Sequence, residues 1–464
     1  MIITFQEFQK HEADRAKWLG SAIAQYRRSY EYKIAEEAKL YEKQQNTAIN
    51  GFVKKVYDIT GVAAPDITSQ NNRIASNFFH RLTVQRVSYS LGNGISFASK
   101  KKEVSADGKT TISDPTKYEL GNKFDDVLFN AGLYAVQQGK SYVFDNDGDY
   151  YLFPMTEFMP ILDEETGELR AGARFWCLEW RKRPVIVELY EEDGRSVYKT
   201  AKGKYGLGAL ELAEEKQPYK LNVQTSEADG DEPIGSNNYS ALPIAVMYGN
   251  KAGQSALVGM KANIDAYDMI HSGFANDLTD CAQMYWIVNN AAGMDDDDVN
   301  KLRERMLFQH VVVTDQQNSE ITPYTQEIPY NSREACLNRI KASIYRDFGA
   351  LDVENIASQA VTATQIRAAY QAMDEEADAF EYQVNAFVQQ ILALKGIEND
   401  YPLFDRNRIS NEKEETEMIM LAAQYLDAET ILRKLPFITV DEIDGIMAKQ
   451  DKLDNDTFTL EGDE

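Results

Sequence analysis

The residues that could do chemistry are few and scattered. His11, His80, His271 and His310 are the four histidines, and none sits in a zinc or metalloprotease spacing. Cys177, Cys281 and Cys336 lie far apart, forming neither a disulfide framework nor a zinc knuckle, which fits a reducing compartment. No glycine-rich loop ends in Gly-Lys-Ser or Gly-Lys-Thr, and there is no GxSxG elbow. Gly92-Asn93-Gly94 does not extend to GxGxxG and follows a helical stretch, so it reads as a helix end and turn. Asp295-Asp296-Asp297-Asp298 suits a helix N-terminus, where carboxylates meet free N–H groups and the positive dipole end. A docking surface for a basic partner is the second reading. A metal site is the third, since adjacent carboxylates diverge. Asp145-Asn146-Asp147-Gly148-Asp149 alternates like the start of a calcium loop, but Thr156 occupies the twelfth position, and a hairpin turn accounts for the run. Nothing assembles a nucleophile, a base and an orienting group, so no catalytic residue, metal or cofactor is expected.

Composition agrees. The chain has 464 residues, 43% hydrophobic and 27% charged, with length for two to four folding units. Its 74 acidic residues outnumber 49 basic ones, for a net charge of −25. Such a balance argues against a protein that grips nucleic acid over its whole surface, because that affinity comes from clustered Lys and Arg. No apolar run approaches a membrane span, and Met1–Lys10 lacks a signal-peptide core.

The elements that must carry any site follow from periodicity. Residues 5–44 read as helix, with Leu19, Ile23, Tyr26, Tyr30 and Ile34 at spacings of three and four. Helix is expected again over 73–91 and 124–138, with a hairpin and loop over 95–118 between them. Strands are expected at 141–144, 150–153, 173–181 and 185–190, with Asp193-Gly194 as a turn. Residues 201–240, rich in Gly, Glu, Asp, Asn and Ser, read as a long, partly mobile surface excursion. After a strand at 242–248 comes a long helix, 254–283, with Leu257, Met260, Ile264, Tyr267, Phe274 and Leu278 along one side. A strand at 284–288, a short helix at 295–308, a strand at 310–314 and a helix at 332–348 follow, then a loop to Thr362.

The clearest pattern is a heptad seam. Ile366, Tyr370, Met373, Ala377, Phe380, Val384, Phe387, Ile391 and Leu394 alternate steps of four and three. A rod of about 45 Å is long for one small domain, which favours packing against a neighbouring copy over packing against the chain's own helices. Beyond Gly396 the chain carries 18 acidic residues against 7 basic ones. Short helices are expected at 416–426, 428–435 and 440–449, with a disordered end.

Several blocks resemble the portal proteins of tailed double-stranded DNA bacteriophages, nearest to siphophages of Gram-positive hosts. Leu242-Pro-Ile-Ala-Val-Met-Tyr-Gly-Asn250 is followed by Ile264-Asp265-Ala266-Tyr267-Asp268 and by Ser272-Gly-Phe-Ala275-Asn276-Asp277-Leu278. Asn72-Arg73-Ile-Ala-Ser-Asn77-Phe78-Phe79 with Val87-Ser-Tyr89-Ser-Leu91-Gly92-Asn93 resembles an earlier block. Gly139-Lys-Ser-Tyr142-Val and Phe158-Met-Pro160-Ile161 resemble the next. Thr362-Ala-Thr364-Gln365 resembles the Thr-Ala-Thr-Glu opening of a portal helix, with Gln for Glu. The similarity covers about residues 70–395.

The resemblance implies a helix-rich α+β portal fold with wing, stem, clip and crown, closed into a homo-oligomeric ring of usually twelve copies. It implies a wing over 1–250, stem helices over 254–282 and 331–348, and a clip over 283–330. A channel loop over 349–361, a long wing helix over 362–395 and a crown over 397–464 complete the assignment. The implied partners are double-stranded DNA in the channel, the terminase large subunit, a head-completion adaptor, and the major capsid and scaffolding proteins. No membrane is implied. The implied location is the capsid vertex of a virion made in the host cytoplasm. The loop has neither Lys nor Arg, so Leu351, Val353 and Ile356 are expected to touch the duplex sterically, and Asn355, Ser358 and Gln359 by polar contact. Lys261, Arg339, Lys341 and Arg346 are the channel-facing basic candidates, with Arg333 further from the loop; ordinary helix-surface charges are the alternative. The four aspartates at 295–298 become clip docking candidates. Another head-assembly or minor capsid protein, or a metal-dependent nucleic-acid-processing enzyme, are the competing functions.

Overall fold

The computed structural model describes residues 3–57, 61–66, 70–104, 110–177, 184–204, 206–226, 230–237, 239, 241–281, 285–289, 297–298, 300–301, 320–324, 330–354, 363–407, 412–427, 430–432, 435 and 446–447. The chain divides into two units. The first comprises Met1–Gln45, Asn77–Lys261 and Tyr345–Glu464, and the second Asn46–Ser76 and Ala262–Ile344. Both crossings after Ser76 fall inside helices, Leu257–Cys281 and Tyr330–Phe348.

In the first unit, helices Arg15–Tyr26 and Tyr30–Glu42 cover a five-stranded antiparallel meander. Its strands are Phe158–Leu162, Leu169–Cys177, Val185–Glu191, Gly194–Thr200 and Leu210–Gln217. Leu19 and Ile23 meet Met159, Ile161, Ala173, Val187 and Leu189 in one core. The expected single helix over 5–44 is three, Phe5–Lys10, Arg15–Tyr26 and Tyr30–Glu42. Ser29 makes the second break, its side chain accepting from the Tyr32 N–H at the next helix start. Gly20 faces the turn at Leu207–Ala209. A Cβ there would lie 2.1 Å from the Leu207 carbonyl oxygen, so only glycine admits this approach.

The stretch read as a surface excursion contains strands: Leu210–Gln217 completes the meander, and Lys220–Ser226 pairs with Gly230–Asn237. Leu210–Gln217 is exposed at every position but the first, as suits a charged edge strand. Composition suggested a loop because this strand has no buried face to alternate against.

A second core of the same unit joins helices Phe78–Leu91 and Phe124–Gln138, strands Lys140–Asn146, Asp149–Pro154 and Ile244–Tyr248, and the long helix Ala363–Lys395. Strand Lys140–Asn146 lies in the middle of its sheet, paired on both sides. It is buried from Ser141 to Asp145, with Val143 in this core and Tyr142 and Phe144 in another, so these three residues are apolar without alternation. The turn between it and Asp149–Pro154 has Asp147 and Gly148 at φ 59° and 97°, and the Asp145 carboxylate accepts from the Gly148 N–H at 2.8 Å. Asp145 also pairs with Lys395 at 3.3 Å, so the alternating acidic run is a hairpin turn.

The heptad seam of the long helix is filled from within the chain. Tyr370, Met373, Ala377, Phe380, Val384, Phe387 and Ile391 are all buried without any neighbouring copy. The preference for an intermolecular seam is corrected accordingly. The pattern reports a buried stripe, and the second core supplies the partner surface.

In the second unit, the helical residues up to Cys281 lead to strand Tyr285–Asn289, which pairs with Glu320–Tyr324 ahead of the helix from Tyr330. Residues 297–298 and 300–301 are helical, as expected of 295–308; the expected strand 310–314 lies outside the described residues. Lys55–Tyr57 pairs with Ala63–Pro65. No helix among the described residues is long and apolar enough to cross a membrane.

Candidate functional site

The segment expected to form the channel loop begins where helix Tyr330–Phe348 ends. Gly349 lies in the left-handed region at φ 67°. The Ala350 N–H donates to the Tyr345 carbonyl at 2.9 Å, and the Gly349 N–H to the Arg346 carbonyl at 3.1 Å. These two bonds make a Schellman end, which turns the chain sharply and satisfies two terminal carbonyls. Leu351 then enters a pocket of the first unit formed by Tyr89, Tyr370, Met373 and Ala377, with only 6% of its surface exposed. Its expected contact with a duplex is therefore corrected: its side chain is spent on packing and anchors the loop base. Val353 is exposed. Asn355, Ile356, Ser358 and Gln359 lie outside the described residues.

The basic candidates divide. Lys261 is half-buried and paired. Its Nζ lies 3.5 Å from a Glu37 carboxylate oxygen and 5.6 Å from the Tyr41 ring centroid, on helix Tyr30–Glu42. Lys341 is half-buried and engaged. Arg339 and Arg346 are exposed, and Arg346 Nε lies 3.4 Å from its neighbour Asp347. Arg333 pairs with Asp277 inside the second unit and lies over the Phe274 ring.

Of the four consecutive aspartates, Asp297 and Asp298 are exposed and helical, and Asp298 sits 3.7 Å from Lys301. Asp295 and Asp296 lie outside the described residues. Among the described residues no group of three or more His, Cys, Asp or Glu converges as a metal site would require. His11 faces Asp14 and His80 faces Glu42, each as a surface pair.

The second unit holds an arrangement that periodicity missed. The extended residues 72–76 lie antiparallel along helix Leu257–Cys281. The Ser76 N–H donates to the Asp268 carboxylate at 2.9 Å, the Ile74 N–H to Ser272 Oγ at 2.9 Å, and the Asn72 N–H to Asn276 Oδ1 at 2.7 Å. Four helical residues advance about 6 Å and two extended residues about 6.6 Å, so three consecutive rungs stay in register. Asn46 Nδ2 closes the end of this strap, donating to Asp268 at 2.5 Å and to the Ser76 carbonyl at 3.0 Å. Burial pushes the Asp268 carboxyl above the usual carboxylate range, and the donors from Asn46 and Ser76 oppose that rise. The stripe buried in this half of the helix is thus Asp268, Ser272 and Asn276, whereas Leu278 is exposed and Tyr267 and Phe274 are half-buried. The signal in the sequence was a period-four row of short acceptors. Hydrophobicity ignores it, because its partner is backbone.

The two ends of this strap contact are sequence blocks already noted for a shared resemblance. The profile of the phage portal proteins, SPP1 Gp6-like, matches residues 27–456. This chain belongs to the phage portal protein family. The portal protein of Bacillus phage SPP1 is 24% identical over 408 residues, covering 82% of this chain and 76% of that one. The portal protein of Clostridium phage phiCD119 is 24% identical over 229 residues, covering 47% of this chain and 50% of that one. Portal proteins are structural components of the phage particle, and the α+β content described above fits the family.

Proposed function

We propose that the chain closes into a ring at one capsid vertex, through which DNA enters during packaging and leaves at ejection. The family match over residues 27–456 carries this reading. Two long helices, Leu257–Cys281 and Tyr330–Phe348, flank a paired-strand insertion, Tyr285–Asn289 with Glu320–Tyr324, which supports two stem helices with a clip at their tip. Twelve copies at −25 each would give a ring of about −300, a wall that repels DNA and keeps it from adhering in transit. In this reading the clip docks the terminase large subunit and later a head-completion adaptor, with Asp295, Asp296, Asp297 and Asp298 near that surface. Residues 1–250 form the wing, facing capsid and scaffolding proteins, and residues 397–464 form the crown. Val353, Asn355, Ile356, Ser358 and Gln359 make the loop contacts with the duplex. Arg339 and Arg346, both exposed, supply what positive charge the passage needs.

Negative-stain electron microscopy of the purified chain, with mass from light scattering, tests the ring. Rings with a central hole and a mass near twelve or thirteen protomers are expected. A chain that stays monomeric with scaffold and capsid protein present would overturn the reading. Shortening residues 353–357 should leave rings intact and stop packaging; normal packaging would remove the loop from the proposal.

A further inference from the structure

Three elements of the first unit converge on one side chain at the start of the loop. Arg86, on helix Phe78–Leu91, donates through Nη2 to the Phe348 carbonyl at 2.5 Å, and its guanidinium lies 4.0 Å over the Phe348 ring centroid. The same Nη2 is 2.9 Å from Glu376 Oε2 on the long helix. One residue earlier, Gln85 Nε2 donates to the Leu351 carbonyl at 3.0 Å. Gly349 passes so close to the long helix that a Cβ would lie 2.7 Å from Glu376 Cγ. The guanidinium is largely buried, which pulls its pKa down, and Glu376 opposes that shift.

The chemistry suits a clamp. A cation at a helix C-terminus meets the negative end of the dipole, and the Phe348 carbonyl is one of those the helix leaves unpaired. A planar fork can stack on a ring, donate to a carbonyl and face a carboxylate together, and an ammonium cannot do all three. Gln85 and Arg86 grip backbone carbonyls on either side of the left-handed Gly349, fixing both the end of one helix and the direction in which the chain leaves it.

We propose that Gln85 and Arg86 are positioning residues that set the direction in which residues 349–354 leave the helix and tie them to the long helix through Glu376. This rests on the channel-loop reading only for its consequence in packaging; the clamp itself is a statement about residues 345–354. Leu351 is the apolar half of the device, seated beside Tyr89 and Tyr370.

The test is hydrogen exchange on the full chain carrying Arg86→Lys, Gln85→Ala or Glu376→Gln, paired with DNA packaging into procapsids. The readouts are the Gly349 and Ala350 amides, whose bonds to Arg346 and Tyr345 depend on the clamped helix end. Arg86→Lys and Gln85→Ala are each expected to raise exchange there about tenfold, the effect of one lost charge-assisted or buried hydrogen bond. Exchange in helix Phe124–Gln138 should stay unchanged, and rings should still form while packaging falls. Unchanged exchange at Gly349 and Ala350 in both variants would overturn the clamp. Raised exchange with normal packaging would uphold the clamp and remove the loop from DNA transport. Raised exchange throughout Arg86→Lys would assign Arg86 to general stability, and Glu376→Gln, which keeps shape and drops the charge, then decides whether the link to the long helix is specific.

Discussion

Replacing Asp268 by Ala should unfasten the strap at residues 72–76. The carboxylate is fully buried and accepts from two donors, the Ser76 N–H at 2.9 Å and Asn46 Nδ2 at 2.5 Å. Asn46 is itself 1% exposed, so its amide finds no water when the acceptor goes. Each orphaned buried donor costs about 1–3 kcal/mol. Removing a carboxylate that burial already disfavours returns part of that, leaving a net loss of about 2–4 kcal/mol. At about tenfold per 1.4 kcal/mol, protection of the strap amides should fall by about 30- to 1,000-fold. Ser272→Ala removes one acceptor, that of Ile74, and should cost about 1–2 kcal/mol. The two losses should not add, because one segment carries both bonds and opens once. Hydrogen exchange at the Ile74 and Ser76 amides, against helix Phe124–Gln138 as internal reference, reads the effect directly. If Asp268→Ala leaves both amides within about twofold of the parent, the rungs do not hold the strap and the argument fails.

Other outcomes follow from single contacts. Arg406→Ala should lower stability by about 1–3 kcal/mol in urea unfolding, and less at high salt, because it leaves Asp374, Asp378 and Glu381 facing one another around an empty place. Gly349→Ala should cost about 1–3 kcal/mol in thermal unfolding, from the strained φ of 67° and the crowding at Glu376. Two aspartates should give opposite pH dependences. Burial pushes the Asp400 carboxyl up, but bonds from Ser99, Thr116 and Tyr401 outweigh it and hold it below the usual range. Its contribution is thus present at neutral pH and lost as pH falls through that depressed value, and Asp400→Asn should flatten the acid limb of a stability profile. Asp268 is raised, so stability should grow as pH falls through its folded pKa towards the ordinary carboxylate value, and Asp268→Asn should remove that rise.

The parts of the fold legible in sequence were those whose residues pack on side chains. Helices Phe124–Gln138, Leu257–Cys281, Tyr330–Phe348 and Ala363–Lys395 fall within a few residues of their expected places, because a buried stripe repeats every three to four positions. Strand Leu210–Gln217 was illegible because seven of its eight side chains face water, leaving no alternation to detect. The heptad seam was visible, but its partner was not, since a period states that a face is covered and not by what. At the candidate site, Leu351 and Lys261 show the same limit. Residue type pointed along the channel and said nothing of the contacts each side chain makes, an apolar pocket for Leu351 and Glu37 for Lys261. The strap and the clamp escaped notice because their recognised groups are backbone N–H and carbonyl groups, which carry no sequence signature of their own.

The closed seam of the long helix has a consequence for the order of events in building a particle. With Phe380, Val384, Phe387 and Ile391 covered by the same polypeptide, a subunit needs no second copy to complete this core. Proteins whose cores close only on association have a melting point that climbs with concentration. This unit's core should instead melt at the same temperature in dilute and concentrated samples. Subunits could then wait as finished pieces, and the timing of assembly would fall to whatever recruits them rather than to how fast they fold.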